Sequence, residues 1–127
     1  MLKCCKIRLL GVYLHLQQLI NMKKTNKSAN GTSFHDMTVI ATPQELITIL
    51  GTPIYNNNTG EDKVNMEWIC ENNDGEIFTV YDWKEYRSIS NDEKIEWHIG
   101  GHGVKDTLTA KLEITRALNN ILIDTWK

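Results

Sequence analysis

Residues 64–84, VNMEWICENNDGEIFTVYDWK, and residues 94–103, KIEWHIGGHG, decide how this chain folds. Successive side chains of a strand point to opposite faces, so alternation of apolar and polar residues marks a half-buried sheet. Val64, Met66, Trp68 and Cys70 fall on one face, and Asn65, Glu67 and Glu71 on the other, with Ile69 out of pattern. Asn73-Asp74-Gly75 then supplies a hairpin signal, because Asp-Gly tolerates the positive φ of a tight turn. A two-residue Asp74-Gly75 loop puts Trp68 opposite Tyr81 and Met66 opposite Trp83, an aromatic inner face with Glu67 beside Asp82 on the outer one. A loop one residue longer exchanges faces and turns Phe78 and Val80 inward instead. The shorter loop is the preferred reading. The third strand, Glu93 to Gly100, places Ile95, Trp97 and Ile99 inward and Glu96 and His98 outward.

Such a meander has one apolar face that needs helices. Met37–Ala41 reads as a first strand. Thr42-Pro43-Gln44-Glu45 is a capping box with proline at the first helical position, and the short helix it opens ends at Gly51 with Pro53 beyond. Asp106 is the expected N-cap of a longer helix running to about Ile123, with Leu108, Leu112, Ile114, Ala117, Leu118, Ile121 and Leu122 as its apolar stripe. The expected fold is α+β: an antiparallel sheet of three to four strands with two helices on one face, in the order β-α-β-β-β-α. The opposite sheet face is left open. Ile54–Asp62 reads as an Asn-rich surface loop.

The 127 residues form one domain, with 41% hydrophobic and 24% charged residues. A net charge of −2 argues against a broad nucleic-acid surface. Cys4, Cys5 and Cys70 suggest neither a disulfide framework nor a CxxC metal pattern, and a reducing compartment is the simpler setting. Residues 1–33 read as an extension to the domain at 34–127. Within it, a basic and then apolar run ends near Ile20 and is too short and polar to span a membrane. Met22 as the natural start is preferred there over an amphipathic helix or an export signal. Residues 22–33, MKKTNKSANGTS, read as a disordered polar arm.

Three groups of residues are candidates for function. Gly100, Gly101, His102 and Gly103, with Lys105, form a Gly-rich passage from strand to helix where amides could meet a phosphate-bearing ligand, although no Walker A or dinucleotide fingerprint is present. Glu67, Asp82, Lys84, Glu96 and His98 form an expected polar sheet face, with His98 and Asp82 the candidate acid–base pair. No metal site or cofactor is expected, because the glycines between His98 and His102 oppose the helical spacing that would align two ligands. The aromatic set Trp68, Tyr81, Trp83, Tyr86 and Trp97 reads as core, and Cys70 as a small buried hydrophobe.

The run DKVNMEW, IFTVYDWKEYR and IEWHIGGHG followed by an amphipathic helix resembles a small uncharacterised family of bacteriophage and large-DNA-virus proteins, over residues 32–120. The resemblance implies an accessory protein of the host cytoplasm and carries over no catalytic residue. The residues themselves favour a non-catalytic binding module with a protein partner. The alternative is binding, with or without hydrolysis, of a small phosphate-bearing molecule at Gly100–Gly103. Oligomerisation through the open sheet face is a third expectation.

Overall fold

Alternation and capping both translate into structure. The computed structural model describes residues 22–125, with side chains as far as Ile121. The reading of the apolar run before Met22 lies outside the described residues, as do Cys4 and Cys5. The elements are β1 (Lys23–Lys24), β2 (Ser33–Ala41), α1 (Pro43–Leu50), β3 (Tyr55–Asn56), β4 (Met66–Glu71), β5 (Ile77–Tyr81), β6 (Ile95–Gly101) and α2 (Val104–Thr125). The fold is α+β, with one antiparallel six-stranded sheet in the order β1-β4-β5-β6-β2 and β3 paired to β4 beside β1. The expected three to four strands become six because two-residue strands add to the edge of β4. The first of these lies in the expected disordered arm: Lys23 and Lys24 pair with Glu71 and Cys70, and Met22 is buried in the core.

The hairpin takes the longer of the two loops weighed from sequence. Trp68 pairs with Val80 and Cys70 with Phe78, while Tyr81 lies opposite Glu67. The cause is Asn72, whose side-chain oxygen accepts the amides of Asp74 at 2.9 Å and Glu76 at 3.0 Å. With Asn72 N–H donating to Glu76 O and Gly75 at φ 77°, three residues close the turn, a loop in which the last residue must be left-handed. This one-residue shift sends Phe78 and Val80 to the core. It sends Tyr81 to the other face.

Thr42 and Glu45 exchange the capping-box hydrogen bonds at 2.8 and 3.0 Å, and Gly51 closes α1 at φ 87°. Tertiary contacts hold so short a helix at both ends. The fully buried Trp97 donates its indole N–H to Ala41 O, just before α1, at 2.9 Å. Trp68, equally buried, donates to Gly51 O, just after it, at 2.7 Å. The two indoles pack edge to face at 5.5 Å, so each buries its body while keeping its one donor satisfied.

α2 begins at Val104, two residues before the expected cap, so Asp106 sits within its first turn. Ala110, Ile114, Ala117 and Leu118 reach the core. Leu108 and Leu112, expected in the same stripe, are 43% and 53% exposed, because they lie on a flank of the helix turned from Ile114. No described helix is long and apolar enough to cross a membrane.

Candidate functional site

The face of the sheet opposite the helices gathers the candidate side chains. Register aligns Tyr55, Glu67, Tyr81, His98 and Thr38 across five strands, and paired residues share a face. His98 stands in the middle of an aromatic group. Phe34 stacks on its ring at 4.1 Å with a 16° tilt. Tyr81 lies 5.6 Å away and Trp83 6.3 Å away, and those two rings meet edge to face at 6.2 Å. Phe34 is 38% exposed and Trp83 41%. Lys63 and Lys84 hold their ammonium groups 6.0 and 5.5 Å from the Trp83 ring centre, within cation–π range.

Of the aromatic set read as core, only Trp68 and Trp97 are core. Tyr81 and Trp83 belong to the open face through the hairpin shift, and Tyr86 is exposed in the following loop with φ 51°. Phe34 was missed because it stands across the sheet from Gly100, a partnership that local patterning does not display.

The expected polar face is divided. Glu67, Glu96 and His98 occupy it. Asp82 does not: it is buried, and its Oδ1 accepts the backbone amides of Asn65 at 2.8 Å and Met66 at 2.9 Å. It therefore fastens the start of β4, and strand alternation assigns it to the face opposite Tyr81 and His98. Lys84 lies past the end of β5 at φ 55°, over Trp83. Among the described residues, no group of three or more His, Cys, Asp or Glu side chains converges as a metal site would require.

Two titratable groups of the site, Glu67 and Tyr81, depart from their ordinary values. Burial raises the Glu67 carboxyl above the ordinary value, and Tyr81 is raised in turn by burial and by the Glu67 charge. Both shifts reflect the cost of charge in a partly dehydrated place. Burial also pushes the Cys70 thiol up to about 12, which fits the small-hydrophobe reading.

The Gly-rich passage is mostly strand. Gly100 pairs with Thr79 and Gly101 with Phe78, leaving only His102 and Gly103 between β6 and α2. A Cβ on Gly100 would lie 2.5 Å from Thr79 Oγ1, and one on Gly101 2.9 Å from Thr107 Cγ2. These glycines admit a neighbouring strand residue and the first turn of α2 respectively. His102 and Lys105 are exposed beside them.

The loops around the site hold a second feature missed from sequence. Asn58 donates to Ile89 O and accepts Ile89 N–H, both at 2.7 Å, while the buried Asn65 donates to Arg87 O and accepts from Gly60 N. The Asn-rich loop is thus stitched to the segment after Trp83. Fold and site together define a two-layer α+β domain with an aromatic sheet face that no described helix covers. No family model, curated protein or solved structure matches the chain.

Proposed function

We propose that the protein is a non-catalytic binding module whose recognition surface is the open sheet face, and that a protein partner engages it through a basic, planar side chain. The observation that carries this reading is the half-exposed ring group Phe34–His98–Tyr81–Trp83 beside Glu67 on one rigid sheet. An arginine guanidinium stacks on aromatic faces and pairs with a carboxylate, so one ligand group satisfies both features. Glu67 makes no ion pair among the described residues, whereas Glu71 and Glu93 on the same protein do. Asp82 is buried and its Oδ1 is engaged by the amides of Asn65 and Met66, which weighs against the acid–base pair with His98 expected from sequence. The motif resemblance to the phage and large-DNA-virus family supports an accessory role in a host cytoplasm.

Amide NMR of the full chain, titrated separately with short arginine-bearing peptides, short aspartate-bearing peptides and mononucleotides, tests the reading. Arginine peptides are expected to shift Glu67, Tyr81, Trp83 and His98, and Trp83→Ala to abolish the shifts. Equal response to aspartate peptides, or no response to arginine, overturns it. Nucleotides that move Gly103 and Lys105 instead would establish the phosphate-binding alternative.

A further inference from the structure

We infer that the outer edge of β2, with the neighbouring flank of α2, is a self-association surface on which a second copy of this chain extends the sheet. β2 is the last strand of the sheet, and among the described residues its outer edge pairs with no strand. Seven of its nine residues are paired on the β6 side, with a bulge between Phe34 and Met37 that leaves Met37–Ala41 as the regular stretch. An unpaired, regular edge is a template for another strand. Natural edges are commonly protected by lysine or proline, and Met37–Ala41 carries neither.

The surroundings of that edge point to a second copy. A groove of about 360 Å³ lies between β2 and α2, lined by Thr38, Ile40, Glu45, Lys94, Lys111 and Leu118 among others. Ile40 is 63% exposed on the strand. Val104, Leu108 and Leu112, spaced one helical turn apart, are exposed along α2. Helical geometry puts these three on the same flank as the groove-lining Lys111 and Thr115, within about 100° of arc. Among the described residues, one side therefore presents an open strand and an exposed apolar helix flank together.

A single added peptide strand would satisfy the first and leave much of the second in water. A two-fold partner satisfies both, because antiparallel pairing of β2 with its own copy brings the two α2 flanks together on the same side of the sheet. Pairing about Val39 sets Ile40 against Thr38 of the other copy on the open face. The groove carries Glu45 along with Lys94 and Lys111, so a two-fold operation can place unlike charges opposite each other. The aromatic group at His98 stays accessible in such a dimer, which makes this inference independent of the proposed ligand.

Light scattering on the eluting full chain, from about 5 to 200 μM, tests it. The expected mass is twice 14.6 kDa at the upper concentrations. Ile40→Lys and Leu112→Glu, each at an exposed position, are expected to give a monomer whose circular-dichroism melt matches wild type at a concentration where wild type is itself monomeric. As a measurement free of mutation, amide exchange of residues 37–41 should slow as concentration rises. A wild-type monomer throughout the range, or dimers that persist in both variants with concentration-independent exchange at 37–41, overturns the inference.

Discussion

Tyr81 stands directly across from His98 on β5 and β6, their ring centres 5.6 Å apart. That one pairing places both rings on the uncovered face and, by alternation, assigns the neighbouring Asp82 to the buried side. It converts what reads as an acid–base pair into an aromatic surface residue and a structural carboxylate. A ring on the sheet face and a buried, hydrogen-bonded carboxylate are thereby adjacent residues of one strand end.

Asp82 is expected to contribute to stability. Asp82→Ala leaves the amides of Asn65 and Met66 buried without their acceptor, at a cost of about 2–4 kcal/mol. Urea denaturation monitored by tryptophan fluorescence measures it. Because Asn65 also holds Gly60 and Arg87, the same variant is expected to speed amide exchange across residues 58–65 and 85–89.

Close approach at Gly100 gives a prediction with its own control. Gly100→Ala sets a methyl 2.5 Å from Thr79 Oγ1, an overpacking that costs about 1–3 kcal/mol. Thr79→Ala in the same chain removes the clashing atom and is expected to restore most of the loss. A double-mutant cycle on melting curves reads the coupling directly. Two additive losses would show that Gly100 is required for a reason other than Thr79.

The helices and the strand pattern were legible because their causes are local. The Thr42/Glu45 box, the Gly51 stop and the alternation of Ile95, Trp97 and Ile99 lie within a few residues of what they determine. The hairpin register was not, since two loop lengths fit Asp74-Gly75, and the Asn72 side chain chooses between them. Gly100 and Gly101 read as the start of a strand-to-helix passage because the reason for them, Thr79 on one side and Thr107 on the other, is distant in sequence. Periodicity found the apolar residues of α2 but could not say that the sheet leaves Leu108 and Leu112 uncovered. The candidate site inherits these errors: His98 and Glu67 were placed on the right face, and Phe34, Tyr81 and Trp83 were added to it by tertiary pairing.

The Glu67 carboxyl titrates above its ordinary value of 4.5 because burial disfavours its charge. The folded protein therefore holds this proton more tightly than the unfolded chain does. Glu67 accordingly favours folding least once the pH has risen from 4.5 through the raised value, where the folded state must carry the buried charge. Glu67→Gln is expected to raise the melting temperature modestly at pH 7, with the gain shrinking as the pH falls toward 4.5 and absent below it. Half exposure keeps the effect small. Melting curves of the two proteins from pH 3.5 to 8 measure it, and a gain that grows on acidification would reverse the assignment. On the proposed reading, an arginine peptide would supply a countercharge that no described residue gives Glu67. Its binding should therefore stabilise wild type more at pH 7 than at pH 4, and should stabilise Glu67→Gln less than wild type at pH 7.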